Sequence, residues 1–229
     1  SPVIVSLSCD IAKAAEQIIT SKSMNAGQLC VSPDYVFVPE RQLELFIARC
    51  KQTIDELFPS FFDNPDYVSL INERHYDRIS GYLEEAKENG INIIALMPDN
   101  ESFSDRGRHR IPLHLVINPT DDLQVMQQEI FGPLLNIKTY TDFDQCLSYI
   151  NNRPKPLALY YFGYDAMEEN RVLEETCSGG VAINDIGIHY ANDDLPFGGI
   201  GDSGMGHYHG FDGFKTFSHV KAVFKQGRA

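Results

Sequence analysis

Short apolar runs alternate along this chain with longer stretches whose apolar residues recur every three or four positions. Pro2-Val3-Ile4-Val5, Tyr35-Val36-Phe37-Val38 and segments 91–96, 113–117, 134–140, 157–162 and 181–184 are the runs. Each has strand length, and 157–162 carries neither charge nor alternation, as in a strand buried on both faces. Between them, 10–22, 41–58, 73–89, 142–151 and 168–177 have helical spacing. In 41–58 the apolar set is Leu43, Phe46, Ile47, Ile54 and Leu57. Asp10 stands where an N-cap belongs, Gly90 where a C-cap belongs, and Gly179-Gly180 ends the last helix. Segment 98–110 is polar and charged, which predicts an exposed loop or hairpin tip. Apolar strands alternating with helices predict an α/β fold, with a mostly parallel sheet flanked by helices on both faces. No repeat, linker or low-complexity tract interrupts residues 1–229, so one domain is expected.

Composition narrows the function. An apolar content of 43% is enough for a real core. The net charge of −13 excludes a broad nucleic-acid or anionic-membrane surface. The five cysteines, Cys9, Cys30, Cys50, Cys146 and Cys177, are odd in number and scattered without a CxxC pair. Neither a disulfide framework nor a thiolate metal site is indicated, and a reducing, cytoplasmic setting fits. No signal peptide or bilayer-spanning apolar run is visible, and the last residues, Lys225-Gln226-Gly227-Arg228-Ala229, give no sign of a C-terminal apolar anchor.

Cys30 holds the most distinctive chemical position. The helix of 10–22 runs into a glycine turn at Gly27, then the thiol, then Pro33 and a strand. A thiol on such a turn can meet a substrate and attack a carbonyl or thioester carbon. The plainer alternative is a buried cysteine acting as a small hydrophobe, the commoner fate of free cysteines.

Three segments in order resemble the NAD(P)-dependent aldehyde dehydrogenases. They are Asn25-Ala26-Gly27-Gln28-Leu29-Cys30, Glu129-Ile130-Phe131-Gly132-Pro133, and Leu195-Pro196-Phe197-Gly198-Gly199 with its glycine-rich continuation to Gly206. Pro33-Asp34-Tyr35-Val36, His207-Tyr208-His209-Gly210 and Phe214-Lys215-Thr216-Phe217-Ser218-His219 resemble the coniferyl-aldehyde and fatty-aldehyde branch. Ser23 and Leu29 depart from the usual pattern, Ser23 replacing an apolar residue and Leu29 a smaller one. Both departures bear on which substrate is taken.

The resemblance implies a set of roles. Cys30 would form a thiohemiacetal, with its own backbone N–H as one oxyanion donor. Glu129 would hold the hydroxyls of the nicotinamide ribose of NAD or NADP, Phe131 would border the nicotinamide, and Gly27 would keep a side chain away from it. Phe197 would line the aldehyde tunnel, with Leu29, Asn184 and His189 nearby. The substrate would be a small aldehyde, aromatic such as coniferyl aldehyde or aliphatic, and the whole protein a homodimer.

Relatives of this kind are roughly twice this length. The resemblance places their dinucleotide cradle, an oxyanion asparagine and a glutamate general base ahead of the stretch matching Ser1. These residues therefore read as the catalytic domain alone, inactive by itself. Two alternatives stay open: a cysteine thioesterase or acyltransferase pairing Cys30 with a histidine, and a non-catalytic interaction module. Gly199-Ile200-Gly201-Asp202-Ser203-Gly204 has GxGxxG spacing but does not follow a strand, so it is not read as a dinucleotide cradle. His207, His209 and Asp212 are read as packing residues and no metal is expected.

Overall fold

Asp10 opens the first helix as the spacing predicts, its carboxylate accepting the N–H groups of Ala12 and Lys13 at 3.1 and 3.3 Å. The computed structural model describes residues 1–61, 64–98, 101 and 105–228. Seven strands form one sheet: β1 (Pro2–Val5), β2 (Tyr35–Pro39), β3 (Asn92–Leu96), β4 (Leu113–Ile117), β5 (Leu134–Tyr140), β6 (Ala158–Phe162) and β7 (Gly180–Ile183). Their order is β3-β4-β5-β2-β1-β6-β7, and only β3 against β4 is antiparallel. The helices are α1 (Ile11–Ser23), α2 (Leu43–Leu57), α3 (Glu73–Glu88), α4 (Gln124–Gln127), α5 (Phe143–Asn151), α6 (Ala166–Glu175), α7 (Ile188–Ala191) and α8 (Gly210–Thr216).

Alternate residues of one strand face opposite layers. Val3, Val36, Leu115 and Tyr160 pack with α1 and α2 through Ile18 and Phe46. Ile4, Phe37 and Leu159 pack with α5 and α6 through Leu147, Ile150 and Val172. Val116 and Leu134 meet α3 at Ile79 and Tyr82. With both faces covered, strands need no polar positions, which is why they read as uninterrupted apolar runs.

Several boundaries shift by one or two residues from the sequence expectation. Helix α6 begins two residues earlier, because the Asp165 carboxylate caps Met167 and Glu168, and it ends at Glu175 where Thr176 turns extended. A 3-10 turn, Glu40–Gln42, precedes α2. Helices α4, α7 and α8 are too short to show a period. Of the polar segment 98–110, residues 99–100 and 102–104 lie outside the described residues, and Arg110 N–H closes a turn onto the Asp105 carbonyl at 3.0 Å.

Candidate functional site

The nucleophile candidate sits at the amino ends of the parallel strands. Helix α1 starts where β1 ends, runs back along the sheet, and releases the chain ahead of β2. The turn Met24–Gly27 then carries Asn25, Ala26 and Gly27 through left-handed conformations, with φ of 50°, 52° and 72°. Such backbone is strained for Ala26 and needs reinforcement. Reinforcement comes from Gln28, whose amide donates to the carbonyls of Asn25 and Ser69 at 3.0 and 3.1 Å and accepts the Ile71 N–H at 3.0 Å. Cys30 follows and is exposed, whereas Cys50 and Cys146 are buried. The carbonyl beyond it is fixed too, since the Tyr160 hydroxyl donates to Val31 O at 2.7 Å.

Gly27 meets the second motif directly. A Cβ at Gly27 would stand 2.2 Å from the Gly132 carbonyl oxygen, so the glycine permits close approach of two backbones. The Glu129–Pro133 loop enters β5 from the same end of the sheet, with Phe131 at φ 43° and 38% exposed. Cys30, Glu129 and Phe131 line one cavity of about 450 Å³, together with Asp34, Arg153 and Lys155. No described residue donates a hydrogen bond to the Glu129 carboxylate, while burial and the nearby charge of Asp34 hold its pKa above the ordinary carboxyl value. An unclaimed carboxylate and an exposed ring beside a thiol suit a sugar bearing two hydroxyls and a flat heterocycle. These residues therefore fit the nicotinamide end of a dinucleotide.

The residues flanking Cys30, Leu29 and Val31, line a second, apolar cavity of about 170 Å³ with Met24, Ile186, Ile188 and Tyr190. Phe197 stands behind this wall, with its ring 6.1 Å from Tyr190 and 5.8 Å from His209. His189 is 8% exposed, its ring against Gly180 and 5.8 Å from that of Tyr160, and neither ring nitrogen has a partner. Burial lowers its pKa, favouring the neutral ring.

Asn184 is not brought to the thiol. It follows the carboxyl end of β7, where its amide exchanges two 2.9 Å hydrogen bonds with the backbone of Gly163. The glycine-rich tail forms a 3-10 turn at Gly201–Ser203 and does not follow a strand. A Cβ on Gly198 would stand 2.0 Å from the Gly206 carbonyl oxygen, so that glycine serves backbone packing. Among the described residues no three of His, Cys, Asp and Glu gather so as to hold a metal ion, and no helix is long and apolar enough to cross a membrane.

The sequence reading passed over Lys22, Gln28, Asp34 and Tyr160. Lys22 alone left a legible signal. It extends the buried stripe of α1, Ile11, Ala14, Ala15, Ile18 and Ile19, at helical spacing, yet it carries charge.

The profile described as the aldehyde dehydrogenase family matches residues 1–223. The coniferyl aldehyde dehydrogenase of Pseudomonas sp. is 49% identical over 226 residues, which are 99% of this chain and 47% of that protein. The probable coniferyl aldehyde dehydrogenase of Caulobacter vibrioides is 48% identical over 226 residues, again 99% of this chain and 47% of the relative. Among solved structures, substrate-bound Staphylococcus aureus AldH matches all of this chain and 49% of its own at a TM-score of 0.90 and 41% identity. The chain thus spans about half the length of the relatives it matches.

Proposed function

The chain belongs to the aldehyde dehydrogenase family, in its coniferyl-aldehyde-like branch, and from that premise we propose that it is the catalytic domain for NAD(P)+-dependent oxidation of an aldehyde to the carboxylic acid. The carrying observation is the position of Cys30. It is exposed and lines the cavity bearing Glu129 and Phe131, while its chain neighbours Leu29 and Val31 line an apolar cavity with Ile186 and Tyr190. An aromatic aldehyde such as coniferyl aldehyde, or an aliphatic one, would seat its apolar body in the second cavity with its carbonyl at the thiol.

The Cys30 thiolate adds to the aldehyde carbon, and the carbonyl π electrons move onto oxygen, which the Cys30 backbone N–H would stabilise. Glu129 would hold the ribose hydroxyls of a bound NAD(P)+, with Phe131 and Gly27 bordering its ring, and the cofactor would supply the hydride acceptor needed for oxidation to the acid. Water then adds to the thioester carbon, and expulsion of the thiolate releases the acid. Leu29 and, through Tyr190, Phe197 shape the apolar wall, while His189 supports it from behind. The resemblance assigns the water-activating base and the phosphate cradle to residues other than these 229, so this chain alone carries the thiol and one wall of the cofactor pocket. A thioesterase of the Cys–His type finds no support here, since no described histidine hydrogen-bonds Cys30.

Two measurements test the proposal. Iodoacetamide should label Cys30 faster than the other four thiols; burial raises Cys50 and Cys146, and Cys9 is pushed up to about 11 by burial and then Asp10. In the NAD(P)+-reducing enzyme that contains these residues, Cys30→Ser should abolish turnover, and the 229-residue chain alone should produce no NAD(P)H. Labelling of Cys9 or Cys177 ahead of Cys30, or turnover surviving Cys30→Ser, would overturn it.

A further inference from the structure

We propose that Asp34, backed by the buried Lys22, is a positioning clasp that fixes the Glu129 loop and the Cys30 turn in one register. This rests on the reaction proposed above and concerns two residues that touch neither the thiol nor the Glu129 carboxylate through any hydrogen bond.

Asp34 lies four residues beyond Cys30, and both of its carboxylate oxygens are engaged. One accepts the N–H of Ile130, the residue after Glu129, at 2.9 Å. The other accepts a hydrogen bond from the terminal ammonium of Ser1 at 2.7 Å, at the entry to β1. The Asp34 carbonyl takes the Asn136 N–H at 3.1 Å and the Asn136 side-chain amide at 3.2 Å, at the start of β5. The Glu129 loop and the entry to β1 are therefore tied to the Asp34 side chain, and β5 to its backbone carbonyl.

Lys22 closes the assembly from beneath. It is 0% exposed, and its Nζ donates to the Pro33 carbonyl at 2.6 Å. Its Cε would lie 3.1 Å from a Cβ on Gly27, so its stem runs under the contact between Gly27 and Gly132. Its neighbouring anions are Asp34 and Glu129. A lone buried ammonium is an expensive way to fill core volume, and apolar residues of similar size usually do as well or better for stability. Its place on an otherwise apolar stripe is explained by the groups it arranges. It pins the peptide between Cys30 and Asp34, and it sets a positive charge beside the two carboxylates.

The test compares Asp34→Ala, Asp34→Asn and Lys22→Met in the NAD(P)+-reducing enzyme that contains these residues. Asp34→Ala should raise KM for NAD(P)+ about tenfold, the scale of one lost charge-assisted hydrogen bond, with the aldehyde KM little changed. Asp34→Asn keeps an acceptor for the Ile130 N–H and should recover most of that loss. Lys22→Met should melt no earlier than the parent yet raise KM for NAD(P)+ severalfold. Equal effects of Ala and Asn at Asp34, or a cofactor KM that does not move, would overturn the clasp. So would a Lys22→Met protein that melts earlier with its cofactor KM intact. Turnover that survives Cys30→Ser would instead overturn the reaction, and the clasp with it.

Discussion

Gly27 and Gly132 touch through their backbones, the carbonyl oxygen of Gly132 occupying the space that a Cβ on Gly27 would need. The turn before Cys30 and the turn after Glu129 are thus mutual templates. Gly27→Ala should break both, because alanine is disfavoured at φ +72° and its methyl would sit 2.2 Å from that oxygen. A loss of at least about 2 kcal/mol is expected, read as the shift of the urea midpoint. A variant of unchanged midpoint would show that the two turns separate in solution.

Gln28 joins the same turn to the segment ahead of α3. Its side chain makes three hydrogen bonds, to Asn25 O, Ser69 O and Ile71 N. Gln28→Ala leaves those groups to water or unpaired and should destabilise by about 1–3 kcal/mol. Exchange of the Ile71 amide hydrogen should accelerate in the same variant. Unaltered protection of that amide would remove Gln28 as its holder.

Lys22 makes stability depend on pH in a defined direction. Burial lowers its folded pKa from 10.5 to about 8, although Asp34 and Glu129 pull the other way. The unfolded chain therefore binds the proton more tightly, and stability rises as pH climbs from about 8 towards 10.5, by about 3 kcal/mol in the limit. Buried tyrosines and cysteines, whose folded pKa values are raised, oppose this at high pH. The quantity to measure is accordingly the stability of the parent minus that of Lys22→Met between pH 7 and 10. That difference should become more favourable to the parent as pH rises, and a flat line would contradict it.

Leu29, the residue before Cys30, lines the apolar cavity proposed to take the aldehyde. Leu29→Ala should shift the ratio of kcat/KM towards bulkier aldehydes by about tenfold, the worth of a few methylenes in a pocket. Aldehydes of graded ring size, assayed on the NAD(P)+-reducing enzyme containing this chain, would reveal it. A uniform fall across the series would instead indicate loss of packing.

What could be read beforehand follows from burial. Strands such as β1 and β6 are covered on both faces, so Val3, Ile4, Leu159 and Tyr160 announce themselves as unbroken apolar runs. The start of α6 was less visible, since Asp165 caps it while Ala166 and Met167 carry no periodic signal. The three motif segments were legible as sequence, but their mutual contact was not: Gly27 and Gly132 are 105 positions apart along the chain. Asn184 shows how strand direction separates sequence neighbours. It is near Phe197 in sequence, yet the direction of β7 carries it to the far end of the sheet. Asp34 was unreadable because the Ile130 N–H that it accepts is a backbone group 96 positions away, which leaves no trace in a sequence.

The amino-end location of Cys30 has an electrostatic consequence. Helices α1, α5 and α6, which carry the chain from one parallel strand to the next, all begin at the opposite edge of the sheet. They turn their carbonyl poles, not their amide poles, towards the thiol's end. Anionic groups such as phosphates gain nothing from those poles, whereas a cationic heterocycle does. Strand direction thus leaves the thiol's end of the sheet facing helix carbonyl poles, which favour a cationic group over an anionic one.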